Sequence, residues 1–165
     1  MNYYRGIKKI YFHKILKTII NIGDLNNPKN ITLDFGCGTR ELGRLMTNKN
    51  YIGYDTISEY SDINDWSKTD FNIFATNEVF YEMKSEEIRG VLSELKKTNP
   101  NCALIFGISR QGWMNKLGAF FLQHDALDKT KTPPEEEKKI IGEFCVIRKK
   151  KPVLGLSDIY LARFK

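Results

Sequence analysis

Ile7, Ile10, Tyr11, Ile15, Leu16, Ile19 and Ile20 recur at helical spacing up to Gly23, which predicts an amphipathic helix over residues 6 to 22 with a basic polar face. Ile31-Thr-Leu-Asp-Phe-Gly36 changes the pattern to a short strand ending in a glycine turn, with a helix predicted behind it from Thr39 to Met46. Tyr51-Ile-Gly-Tyr-Asp55 is a second strand. After the polar stretch Ser58 to Ser67, Phe71 to Thr76 is a third, followed by a helix from Ser85 to Lys97 that Asn99-Pro100 terminates. Cys102 to Ile108 is almost continuously apolar, the pattern of a parallel strand covered on both faces, and marks the middle of a sheet. Gly112 to Leu122, with Trp113, Met114, Leu117, Phe120 and Phe121, is too apolar for an exposed helix and is expected to cover the sheet or line a hydrophobic mouth. A polar linker leads to a helix beginning near Pro133. Glu143 to Arg148 and Ser157 to Phe164 then read as an antiparallel pair, with Lys149-Lys-Lys151 at the hairpin tip. Strands alternating with helices predict an α/β layer fold with a mostly parallel sheet.

Length and composition narrow this to one domain. The 165 residues are 41% hydrophobic and 28% charged, enough for a full core and unlike disordered, collagen-like or disulfide-stapled chains. Within the single domain 1–165, residues 1–29 form a helical cap and 110–132 an insertion. Cys37, Cys102 and Cys145 are far apart with no CxxC pair, which argues against a zinc site and for a reduced, cytoplasmic setting. No apolar run approaches the ~20 residues of a membrane span, and Lys8, Lys9, Lys14 and Lys17 break any signal-peptide core. The net charge of +6 sits at the ends: residues 1–30 carry +5 and 141–165 carry +4, while 61–100 carry −3. That distribution points to a surface or a partner rather than to the chemistry. A basic helix beside an exposed apolar segment would also suit peripheral contact with a lipid surface.

Asp34-Phe-Gly-Cys-Gly-Thr39 lies where a strand enters a helix, the place where open α/β folds bind ligands. Gly36 and Gly38 let the backbone pass close to a ligand. Asp55 closes the next strand 21 residues after Asp34, placed to accept both hydroxyls of a ribose. A dinucleotide fingerprint needs a third small residue where Glu41 stands, and an acid two residues before the first glycine disfavours phosphates. The turn suits a nucleoside carrying an ammonium and a sulfonium.

Leu33-Asp-Phe-Gly-Cys-Gly-Thr39, Tyr54-Asp55 and Phe71-Asn-Ile-Phe-Ala-Thr-Asn-Glu78 together resemble the successive motifs of class I S-adenosylmethionine-dependent methyltransferases of the small-molecule type, over residues 30 to 165. The resemblance implies a Rossmann-like, doubly wound, three-layer sandwich with a seven-stranded sheet whose C-terminal strand is antiparallel. It also implies S-adenosyl-L-methionine as cofactor. Asp34, Gly36 and Gly38 would line its methionine part and Asp55 its ribose. Asp62 and Ile63 would lie near the adenine, and Asn77 would offer its backbone to the methionine amino group.

The acceptor side is less sharply marked. Asn77-Glu-Val-Phe80 stands where amino-methylating nucleic-acid enzymes carry an Asn/Asp-Pro-Pro-aromatic tetrapeptide. Glu78 and His124 are the candidate catalytic residues, the first at the end of a strand, the second a natural base near neutral pH in the insertion. The expected reaction is methyl transfer to an O or N atom of a small molecule, glycan or lipid-linked precursor. RNA methylation is the alternative within enzymes; a catalytically inactive, cofactor-binding scaffold that serves a partner subunit is the alternative outside them.

Overall fold

A computed structural model of the chain describes residues 6–110 and 130–165. In chain order the elements are α1 (Gly6–Gly23), β1 (Thr32–Phe35), α2 (Glu41–Leu45), β2 (Tyr51–Tyr54), β3 (Ile73–Asn77), α3 (Ser85–Thr98), β4 (Ala103–Ser109), α4 (Pro134–Phe144), β5 (Cys145–Val153) and β6 (Ser157–Phe164). Single 3-10 turns lie at Trp66–Lys68 and Phe80–Glu82.

The strands form one sheet in the order β2-β1-β3-β4-β6-β5. The first four strands of that order are joined by three parallel pairings; β6 runs antiparallel to both β4 and β5. All four residues of β1 are buried, and its neighbours β2 and β3 lie on opposite sides, so the chain reverses its winding there. Helices cover both faces. Ile15 and Ile19 of α1 pack with Ile73, Ala75 and Ile105 on one face. Ile88, Leu92 and Leu95 of α3 and Ile140 of α4 pack with Phe74, Leu104 and Phe106 on the other. Each fully buried aliphatic contributes about 1.5–3 kcal/mol. Arg89 of α3 ties the second layer together by bonding the Glu143 carboxylate of α4 at 2.9 Å.

The described residues form six strands where seven were expected. Between β2 and β3 the polar side chains bond locally instead of extending the sheet. Asp62 Oδ2 accepts the Gly53 N–H at 2.8 Å, and Asp65 caps the turn at Trp66 by accepting the Ser67 N–H at 3.1 Å. The edge of the sheet is therefore β2.

Lys149-Lys-Lys151 is also not the hairpin tip. These residues lie within β5, paired with Leu161, Tyr160 and Ile159, and the turn is Leu154-Gly155-Leu156 with positive φ at Leu154 and Gly155. Only the two ends of β5 are buried. Its solvated lysines and Pro152 protect an outer edge against further strand pairing.

Candidate functional site

The carboxyl ends of β1, β2, β3 and β4 converge beside the point where the winding reverses. The chain leaves β1 through Gly36 at φ 77° and Gly38 at φ 48°, left-handed conformations that cost a residue with a Cβ. The Gly36 and Cys37 N–H groups both donate to the Tyr54 carbonyl, which pulls the turn onto the end of β2. A Cβ on Gly36 would lie 2.3 Å from Val79 Cγ2, whereas one on Gly38 would meet nothing within 4 Å. Gly38 faces open space, a cradle that a side chain would fill. Gly36→Ala is expected to cost about 2–4 kcal/mol in denaturant unfolding through strain and overlap. Gly38→Ala should cost only about 1–2 kcal/mol and act mainly on ligand binding.

Asp34 and Asp55 flank the cradle. Asp34 is buried in β1, and its Oδ2 accepts the Tyr51 hydroxyl at 2.8 Å. Burial pushes its carboxyl up to about 7; the Tyr51 bond opposes that shift and the charge of Asp55 adds to it. Asp55 accepts the Gly38 N–H at 2.9 Å and the Ile57 N–H at 3.0 Å, one on each oxygen. Each oxygen keeps a further lone pair for a ligand.

Other candidate residues have neighbours of their own. Asp62 binds Gly53 and forms an ion pair with Arg40 at 2.5 Å, clamping the loop after β2. The Ile63 side chain packs, partly buried, against the core on the α3 side. In contrast, Ile57 is 52% exposed and Tyr60 36% exposed on the stretch that follows Asp55. Asn77 ends β3 with its amide pressed against Gly107, where a Cβ would lie 2.1 Å from Oδ1. That oxygen is buried without a hydrogen-bond partner among the described residues. Cys37 packs against Gly53, and burial pushes its thiol up to about 12, as expected of an apolar filler rather than a nucleophile. His124 lies outside the described residues.

Three features of the site depend on contacts that the sequence does not signal. Arg40 takes φ 61° at the N-cap of α2, and its Nε donates to the Tyr60 carbonyl at 2.7 Å. Glu41 is bound by His13 of α1 at 2.9 Å and by Arg44 at 3.1 Å, which fastens the first helix to the glycine turn. Glu78 follows β3 at φ 55°, with its N–H on the Gly107 carbonyl and its carboxylate on Ser109 and Ser157. Holding a glutamate there costs about 1–3 kcal/mol, which the surrounding bonds must offset.

Among the described residues no group of three or more metal-ligating side chains occurs. No helix among them is long and apolar enough to cross a membrane. A surface depression lined by Ser67, Asp70, Asn72 and Asn99 lies at the amino ends of the strands, away from the cradle.

No protein-family model and no curated protein sequence matches the chain. Solved structures do. Magnesium protoporphyrin IX methyltransferase (ChlM) from Synechocystis PCC 6803 with bound SAH superposes with a TM-score of 0.58 at 15% identity, over 98% of this chain and 88% of that one. N,N-8-amino-8-demethyl-D-riboflavin dimethyltransferase (RosA) from Streptomyces davawensis gives 0.66 at 10% identity over 96% and 56%. The pyocyanin biosynthetic protein PhzM gives 0.70 at 11% identity over 93% and 55%. The chain thus spans most of the first structure and about half of the other two. Its sheet order, its glycine turn and these superpositions agree: the chain has the fold of the class I S-adenosylmethionine-dependent methyltransferases.

Proposed function

We propose that this protein transfers a methyl group from S-adenosylmethionine to an oxygen or nitrogen of a small molecule. The observation that carries the reading is the open cradle at Gly38, flanked by the carboxylates of Asp34 and Asp55 at the end of β1. The residues fit the cofactor. A buried carboxyl poised near neutrality is suited to a cationic group, and a half-buried strand-end aspartate with free lone pairs to a diol. When bound, the cofactor supplies a methyl group made electrophilic by its sulfonium.

In this reading Asp55 accepts the two ribose hydroxyls, and Asp34 with the Gly36–Gly38 backbone holds the methionine end. Asn77 contributes its backbone to the amino group. The adenine is better served by the exposed faces of Ile57 and Tyr60 than by Asp62 and Ile63, since Asp62 is engaged with Gly53 and Arg40 and Ile63 with the core. Glu78 is the acceptor-side carboxylate. Much of the catalysis then comes from alignment, with a base required only where the nucleophile carries a proton. The RNA alternative gains nothing from the lysines of β5, which lie at the opposite edge of the sheet from β2.

Calorimetry with S-adenosylmethionine tests the reading. Because Asp34 must ionise to face the ammonium, affinity should rise roughly tenfold from pH 6 to pH 8, with a proton released on binding at pH 6. Absence of binding at either pH overturns the proposal.

A further inference from the structure

Glu78 is held by groups from three distant parts of the chain. Its Oε1 accepts the Ser109 hydroxyl, at the end of β4, at 2.9 Å and the Ser157 hydroxyl, at the start of β6, at 3.1 Å. Ser157 Oγ in turn lies 2.7 Å from the Tyr11 hydroxyl of α1. An ionised carboxylate only accepts, so the single Ser157 hydrogen goes to Glu78, and Tyr11 must donate to Ser157. The direction of the chain follows: Tyr11 to Ser157 to Glu78, with Ser109 joining at the same oxygen. Ser157 and Tyr11 are 0% and 8% exposed, so water does not compete for these bonds. Burial and the charge of Glu78 both push the Tyr11 phenol upward, which keeps it a donor.

Both serine hydroxyls are thus spent on Oε1. Among the described residues nothing donates to Oε2. Two cations at this end of the sheet are already engaged. Arg110 and Lys150 are paired with the buried Asp158, and Glu137 of α4 is a further carboxyl within electrostatic reach of Glu78. Among the described residues Glu78 Oε2 is thus an acceptor left for a ligand, with a second carboxyl nearby.

Resting on the methyltransferase reading above, we propose that Tyr11, Ser157 and Ser109 are positioning residues that aim Glu78 Oε2 at the methyl acceptor. They thereby select substrates whose nucleophilic nitrogen or oxygen carries a hydrogen. As the nucleophile's lone pair forms the bond to carbon and the carbon–sulfur pair stays on sulfur, the displaced proton passes to Oε2 and from there to water. A carboxylate acceptor brings no hydrogen and meets like charge.

Two measurements test this. In the first, the side-chain carboxyl ¹³C resonance of Glu78, assigned with Glu78→Gln, is followed in variants without cofactor. It should move in Tyr11→Phe and Ser157→Ala and return toward the wild-type position in Ser157→Thr, which restores the hydroxyl. In the second, transfer from radiolabelled S-adenosylmethionine into cell extract should slow at least tenfold in Tyr11→Phe and Ser157→Ala, with cofactor affinity unchanged and the rate rescued by Ser157→Thr. The labelled product should survive mild alkali. An unmoved resonance, wild-type transfer in Tyr11→Phe and Ser157→Ala, an alkali-labile methyl ester, or a wild type that binds cofactor and transfers no label each overturns the inference. A wild type that binds no cofactor refutes the methyltransferase reading instead, while the resonance still reports on the chain of hydroxyls.

Discussion

Replacing Asp55 by alanine is expected to weaken S-adenosylmethionine binding at least a hundredfold in calorimetry. A hydrogen bond to a charged group is worth about 1.5–3 kcal/mol, and the proposed diol contact makes two. The substitution also removes the acceptor of the Gly38 N–H, so the turn that forms the cradle loses one of its anchors. Asp55→Asn separates the two effects: the amide keeps an acceptor oxygen for Gly38 and loses the charge, so its affinity should fall between wild type and alanine. Asp62→Asn, by contrast, weakens the clamp between Arg40 and the loop after β2 and should lower the unfolding midpoint more than it lowers cofactor affinity. Wild-type affinity in Asp55→Ala would remove the ribose assignment.

The largest effect on stability is expected from Glu137, and it depends on pH. This residue is 4% exposed on α4, and none of the hydrogen bonds or ion pairs among the described residues reaches its carboxyl. Burial, reinforced by the charge of Glu78, pushes it from 4.5 up to about 8, against a smaller opposing pull from Lys138. The folded chain therefore keeps a proton that the unfolded chain gives up near pH 4.5. Raising the pH from there through 8 withdraws stability, by as much as about 5 kcal/mol. Asp34 acts with the same sign between 3.8 and about 7. Glu137→Gln cannot ionise. Chemical denaturation should show the variant close to wild type at pH 4 and progressively more stable than it up to pH 9. A difference that does not change with pH would refute this account.

The part of the site on β1 and β2 was legible because its signals are local. A short strand followed by Gly-Cys-Gly declares a tight turn, and Asp55 is identified by its distance along one βαβ unit from Asp34. The resemblance places Asp62 near the adenine, and the loop that carries it has no sharp motif. Its carboxylate meets the Gly53 N–H and the guanidinium of Arg40, a residue with a left-handed backbone, and neither contact is written in the local sequence. Glu78 could be singled out by its place after β3, but not what holds it. Tyr11 and Ser157 are separated by 146 positions and meet because α1 packs beside β6.

The strands of the expected hairpin show the same limit. Residues 146 to 152 of β5 are all exposed and carry no hydrophobic alternation, so the backbone pairing with β6 is what makes them a strand.

By itself the sequence determined the alternation of strands and helices, the buried central strand at Cys102 to Ile108 and the glycine turn between two acids. Each of these depends on side-chain periodicity or backbone freedom within a few residues. The tertiary structure alone decided that β2 ends the sheet, that Arg40 and Asp62 clamp a loop, and that a tyrosine from the first helix reaches Glu78 through a serine at the start of the last strand. Those outcomes depend on which polar groups find partners once the chain has closed around them, and no pattern along the chain records that pairing.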